Sequence, residues 1–418
     1  MSVLWKYLRF ALTAALLSAV PSFAQMPGEA SPSRQPSSGR SPWAVKAGAD
    51  RLTIGNFRDS YTQLDFNAYT LELDYLTLHG PDKTGYAAAY HWPVFGIGLT
   101  YNSLQDVKFR SAKGHYSEMF CAYGTMSRDL LTYGPLAFGY NTSLGLSYSD
   151  AYFNAVTNSS NWFFGAPVVL YFTAGGHLTW QVSRRLDLEA GISFRHNSSA
   201  RTAYPNGGLN YWGGGLAARY CFADRAKPGG WSVRTPKLPA EQYAKGWSFE
   251  IYGGGGVHAC AAEWLAFSQT VDNETLAATQ LRRWPMASLS ADAIYRTGSR
   301  FALGFTVDGF YNSNTEMLRW ADGIIYGDGA ADASKGYARL SCGAGIVQEV
   351  FYGHVAFYLQ ECLYLYRHMG IHGDHGIMYE RAGFRVYPPA LDPFFFSVCI
   401  KAHMFKADYL DFTLGIKL

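Results

Sequence analysis

No apolar run in this chain is long enough for a membrane-spanning helix. The longest candidate near the start, Phe10 to Val20, falls short of the roughly 20 residues a helix needs to cross a bilayer. The mean hydropathy of −0.09 likewise excludes a bundle of such helices. Charge is scarce too: 16% of residues are charged, with a formal net charge of +3, so the concentrated basic surface that nucleic acid requires is missing. The six cysteines, Cys121, Cys221, Cys260, Cys342, Cys362 and Cys399, lack metal-type spacing and read mostly as small apolar fillers, free or paired. No stretch carries a long helical period.

What is present is aromatic and glycine-rich: 16% aromatics, 30 tyrosines and 44 glycines. Residues 1–24 read as a cleaved export signal, with Lys6 and Arg9, the apolar run, then Ser22, Phe23 and Ala24 before Gln25. No cysteine follows that cut, which argues against a lipid anchor. Residues 25–42, rich in Pro, Ser and Gly, are expected to be a disordered leader.

From Trp43 onward, apolar and polar residues alternate in one segment after another, the period of a two-faced strand. Starts fall near Trp43, Phe66, Val94, Tyr116, Leu136, Trp162, Leu186 and Asn210, then Trp247, Ala287, Phe301, Tyr337, His354, Ile377, Phe394 and Asp408. In Trp162 to Val182 every even position is apolar, and Leu410, Phe412, Leu414, Ile416 and Leu418 make an emphatic last strand. Long strands with aromatic ends on the apolar face, in an exported chain, predict an all-β fold: a transmembrane antiparallel β-barrel architecture of roughly 14–16 strands in total, arranged as one barrel or two. Residues 43–223 form a first half, 224–246 a linker or long turn, and 247–418 a second half. A faint repeat relates Gly176-His177 through Arg195-His196 to Gly353-His354 through Arg367-His368, and Gly215 to Tyr220 to Gly383 to Tyr387.

One hairpin carries possible chemistry. Leu186, Leu188, Ala190, Ile192, Phe194, His196 and Ser198 share one face; after a turn containing Pro205, Asn206, Gly207 and Gly208, Asn210 and Trp212 return to it. His196, Ser198 and Asn210 thus lie on the apolar side near the turn, where pairing brings Asn210 beside the other two. A serine beside a histidine base, with a third polar group orienting the ring, is the logic of an activated hydroxyl nucleophile. The other reading is that these polar residues have reached the headgroup zone, where polar side chains are ordinary. Inward charges such as Arg185, Asp187, Glu189 and Arg195 imply a polar lumen.

The strings Phe194-Arg-His-Asn-Ser-Ser-Ala200, Pro205-Asn-Gly-Gly-Leu-Asn210, Ile400-Lys-Ala-His403 and Lys406-Ala-Asp408 resemble the lipid A 3-O-deacylase (PagL) family and its longer acyloxyacyl-hydrolase-like relatives of outer membranes. The resemblance implies that the first half is like an eight-stranded deacylase barrel in the cell outer membrane. It further implies Ser198 as nucleophile and His196 as base, acting without cofactor or metal on an ester-linked acyl chain of lipid A, the lipid portion of lipopolysaccharide. Ser199 and Asn206 would lie on the oxyanion or substrate side. Two departures stand out: Ser199 replaces the family's asparagine, and Asn210 replaces its acidic orienter. The rival reading is a non-catalytic outer-membrane barrel, a narrow pore or a structural protein. A second polar cluster, His368, His372, Asp374 and His375, sits among glycines without compact ligand spacing and reads as a solvated turn.

Overall fold

The computed structural model describes residues 29–30, 43–54, 68–77, 86, 90, 92–104, 116–225, 233–234, 245–279, 281–327, 329, 336–373, 376–404 and 406–418. The expected export signal and nearly all of the leader lie outside these residues.

Sixteen strands build two closed barrels of eight rather than one large one. The first comprises β1 (Trp43–Ile54), β2 (Tyr69–Thr77), β3 (Val94–Ser103), β4 (Glu118–Tyr133), β5 (Leu136–Tyr148), β6 (Val168–Gln181), β7 (Leu186–Ser198) and β8 (Leu209–Cys221). It closes by antiparallel pairing of β1 with β8, from Ala44 opposite Cys221 to Ile54 opposite Tyr211. The second comprises β9 (Gly246–Ala259), β10 (Arg283–Arg296), β11 (Phe301–Asn312), β12 (Leu340–Tyr352), β13 (Val355–Tyr366), β14 (Met378–Val386), β15 (Phe394–His403) and β16 (Lys406–Lys417). The emphatic last strand, β16, closes it against β9, Glu250 opposite Lys417. Strands run from 9 residues in β2 to 16 in β4, and a tilted strand crosses a bilayer with about 9–11.

Alternation explains the two faces. Leu71, Leu73, Ile97, Leu99, Leu146, Ile192 and Leu216 of the first barrel, and Leu289, Phe305, Val307, Phe412 and Leu414 of the second, are exposed on the outside. Aromatic residues collect at the ends: Trp43 stacks on Tyr75 at one end, and Tyr69, Tyr101 and Phe120 run together at the other. The interiors are bridged by ion pairs. In the first barrel Lys46 meets Glu72 and Asp74 at 2.8 and 2.9 Å, Arg195 binds Asp50, and Arg219 and Arg225 both bind Asp187 at 2.6 Å. In the second, Arg381 joins Asp308 and Asp411, while Arg385 joins Glu250, Asp292 and Glu349. Buried charges persist only when paired, and eight strands enclose a space that side chains fill. A cavity of about 60 Å³ beside Lys46, Asp50, Glu72, His177 and Arg195 remains in the first barrel, room for a few waters. Arg185 departs from expectation: it precedes β7, is half exposed, and pairs with Asp224 outside the lumen.

Two further expectations are corrected. The strand expected from Trp162 begins at Val168, because Phe163 and Phe164 are both buried in a loop cluster with Leu52, Tyr116 and Tyr211, which a two-faced strand forbids. Short helices also exist on the second barrel: α1 (Ala261–Thr270), α2 (Asn273–Ala278) and α3 (Thr315–Tyr326). Asp272 caps α2 by accepting the Thr275 N–H at 2.7 Å, and that bond holds its carboxyl below the usual carboxylate range. Helices α1 and α3 pack through Cys260, Ala262, Ala266, Leu318, Ala321 and Met369.

Candidate active site

The β7–β8 hairpin places His196 directly opposite Asn210 and Phe194 opposite Trp212. Ser198, two residues beyond His196, stands on the same outward face. The three side chains form one hydrogen-bonded chain. The Asn210 Oδ1 lies 2.6 Å from His196 Nδ1, and His196 Nε2 lies 3.0 Å from Ser198 Oγ. An amide oxygen can only accept, so Nδ1 carries the proton and the Nε2 lone pair faces the serine hydroxyl. That is the tautomer a general base requires.

The flanking strands supply an apolar wall. On β6, Leu170 and Phe172 pair with Ser198 and His196, and on the other side Phe194 packs edge-on against Trp212 at 5.4 Å. A chain lying along the barrel's outside would pass over these groups and bring a polar head to Ser198 at the rim. Ser198 itself is 7% exposed.

The inward residues between them fix the strand from behind. Asn197, fully buried, accepts from Ser147 Oγ at 2.6 Å and donates to Tyr211 OH at 3.0 Å. Arg195 binds Asp50 and Ser193. Alternation alone placed these two inside; nothing in the sequence marked Asn197 as a pin.

The loop 199–208 is fastened by the other two expected site residues. Asn206 Oδ1 accepts from the Ser199 N–H and Oγ, both at 2.9 Å, and Ser199 Oγ also reaches the Ala203 carbonyl at 2.9 Å. The Ser199 N–H and hydroxyl and the Asn206 Oδ1 are therefore engaged within the loop. Ala200 and Arg201 follow with φ of 46° and 62°, a pairing that non-glycine residues rarely adopt and that clusters at functional sites. Gly208, at φ 68°, passes so close that a Cβ there would meet His196 Cε1 at 3.0 Å.

In strand order the second barrel's counterpart of the β7–β8 hairpin is β15–β16, not the segments around Gly353 to His368 and Gly383 to Tyr387 that the faint repeat selected. Those fall on β13 with its preceding turn and on β14, two strands away, because a Gly-His or Gly-Arg recurrence carries no register. On β15 the outward positions are Val398 and Ile400, while Lys401 and His403 turn inward to Asp408 and Tyr364 at 2.7 Å each. Of the second polar cluster, His372 Nδ1 lies 3.2 Å from Asp322 and the His368 carbonyl accepts from Ala338 N–H; Asp374 and His375 lie outside the described residues.

Two closed antiparallel eight-stranded barrels, apolar outside and salt-bridged within, define a transmembrane β-barrel protein with a Ser-His-Asn triplet on its lipid-facing rim. Residues 247–418, the second barrel, match the family model described as acyloxyacyl hydrolase, C-terminal domain (PagL_C). Solved structures similar to it include the outer membrane enzyme PagL, 13% identical, covering 43% of this chain and 99% of that one with a TM-score of 0.26. Neisserial surface protein A is similar at 10% identity over 43% of this chain and 97% of that one, TM-score 0.29. The Pseudomonas putida toluene transporter TodX covers 97% of this chain and 92% of its own at 8% identity, TM-score 0.17. A search of curated proteins finds no match.

Proposed function

We propose that the protein is an outer-membrane esterase that removes an ester-linked acyl chain from lipid A, with Ser198 as nucleophile, His196 as general base and Asn210 as the group that orients the ring. The observation that carries this reading is the Asn210–His196–Ser198 hydrogen-bonded chain, facing lipid at the barrel rim. The hydrolase family match to the second barrel is consistent with it. Polar side chains facing lipid are costly and tend to be functional, and here all three are spent on one another.

In the reaction, Ser198 Oγ attacks the ester carbonyl while His196 Nε2 takes its proton. The tetrahedral intermediate then expels the sugar oxygen, which takes that proton back from His196, leaving an acyl-Ser198 ester. Water, deprotonated by His196, attacks the acyl carbonyl; the carboxylic acid departs and Ser198 regains its proton. Phe172, Phe194 and Trp212 would hold the acyl chain. Asn210 keeps the productive tautomer but adds no negative charge to steady the imidazolium, so turnover is slower than with a carboxylate.

A structural barrel without activity is the second reading, favoured by one observation: the family match falls on the barrel whose outward positions are Val398 and Ile400. A pore is disfavoured by the buried ion pairs that fill both interiors, Lys46–Asp74, Arg195–Asp50 and Arg219–Asp187 in the first barrel and Arg381–Asp411 and Arg385–Asp292 in the second. The deciding experiment is mass spectrometry of lipid A from cells producing wild type, Ser198→Ala, or neither. Loss of one acyl chain with wild type alone is expected; identical lipid A in all three, with both barrels folded and inserted, refutes the esterase.

A further inference from the structure

Among its described residues the second barrel carries no outward triplet of this kind, yet it touches the loops around the first barrel's. The flanks of both barrels are exposed, with Ile97 at 68%, Leu216 at 71%, Phe305 at 65% and Leu365 at 71%. The described contacts between the barrels therefore lie at their ends. At the end away from the site, Tyr86 OH donates to the Ser299 carbonyl at 2.8 Å and Tyr90 OH to the Phe351 carbonyl at 2.7 Å. At the site end, Trp264 of α1 meets Trp162 at 4.9 Å, Tyr204 at 5.2 Å and Phe153 at 5.8 Å between ring centres. The Ala259 N–H also donates to the Arg201 carbonyl at 2.7 Å. Attachment at two ends resists the pivoting that either contact alone would allow.

We propose that the second barrel clamps the first barrel's site, and that Trp264 is a positioning residue acting on His196 and Ser198 through the loop 199–208. This rests on the esterase reading of those residues. Two routes connect Trp264 to them. Trp162 and Phe163 accept from the N–H groups of Gly207 and Gly208 at 2.9 and 3.2 Å, and Gly208 lies against the His196 ring. Tyr204 and Arg201 stand in the loop that runs directly on from Ser198. Trp264 is 5% exposed and held from behind: α1 packs on α3, and Trp284 Nε1 donates to Glu263 Oε2 at 2.8 Å. Edge-to-face aromatic packing of this kind is directional and stiff. An alkyl ester of an amphiphilic glycolipid, lying in lipid against the rim, would meet a loop fixed in place rather than one free to fray.

The test compares full-length wild type, Trp264→Ala and Trp264→Phe in detergent, by fatty-acid release from lipid A and by the rate of tryptic cleavage after Arg201. Trp264→Ala is expected to lower kcat on the order of 10- to 100-fold, as misplacement of reacting groups does, with KM within about twofold. Cleavage after Arg201 should rise at least roughly tenfold, since cleavage follows local opening. Trp264→Phe, which keeps an aromatic edge, should restore most of both, with the heat-modified gel shift of the folded barrels unchanged throughout. Wild-type kcat in Trp264→Ala, or a kcat loss that tracks loss of the gel shift, overturns the positioning role. If wild type releases no fatty acid the esterase reading fails by itself, and the Arg201 cleavage rate still decides: faster in Trp264→Ala supports the clamp, unchanged refutes it.

Discussion

Replacing Asn210 with aspartate changes one atom of the orienter and adds the charge the site lacks. The Asn210 Oδ1 is 2.6 Å from His196 Nδ1, which puts a carboxylate's charge centre about 4 Å from that of an imidazolium. At an effective dielectric near 20 that attraction is about 4 kcal/mol. Holding a carboxylate at the lipid-facing rim costs part of it back, as buried charges always do. A net 1–3 kcal/mol is a reasonable remainder, and because the imidazolium exists only in the transition state and intermediates, about 5- to 150-fold should appear in kcat. Asn210→Leu, which removes the acceptor, should do the reverse and lose about 100-fold or more, because the ring is then free to adopt the wrong tautomer. Fatty-acid release from purified lipid A, measured at substrate saturation with detergent held constant, reads both. If Asn210→Asp and Asn210→Leu were to change kcat in the same direction by similar amounts, residue 210 would not orient the base and the triplet would be an accident of the rim.

Gly208→Ala should press on the His196 ring and strain a left-handed turn, costing about 1–2 kcal/mol of stability and lowering kcat more than KM; thermal gel-shift midpoints and steady-state rates check it. Arg385→Ala leaves Glu250, Asp292 and Glu349 facing one another inside the second barrel, so a loss of about 3–5 kcal/mol is expected in refolding titrations, against little change for an outward Leu365→Ala. Planar-bilayer recordings should show no steady conductance, since buried ion pairs fill both lumens; open-channel steps from the folded protein would contradict the filled interiors. Activity should fall as acid protonates His196, because only the neutral ring accepts the Ser198 proton; a rate that stays flat from neutral pH to well below the histidine range would remove His196 from the mechanism.

Much of this architecture is legible in the sequence because a strand in lipid has a simple rule. Alternation along Leu136 to Tyr148, Leu186 to Ser198 and Leu410 to Leu418 fixes which side of each strand faces out, and so places His196 and Ser198 outward and Asn197 inward. Periodicity does not say where a sheet closes. Whether Leu209–Cys221 returns to Trp43–Ile54 or continues into the second half depends on pairing between distant strands, and the structure resolves it as two rings. Nor does it reveal loops built from apolar residues: Phe163 and Phe164 look like strand yet plug a loop cluster. Helices α1 and α3 are too short for their period to stand out, although Leu318, Ala321 and Asp322 do share a buried face. Trp264 in α1 gives no sign, in sequence, that it will meet Trp162, because that contact spans two barrels.

The central claim, that the triplet activates Ser198, is tested most directly by covalent capture. A fluorophosphonate should label the folded wild-type protein on one residue, mapped by peptide mass spectrometry to Ser198, with labelling slowed on the order of 100-fold or more in His196→Ala, as expected when a serine loses its base. Labelling that is absent from Ser198, or that proceeds at the same rate with and without His196, would contradict it.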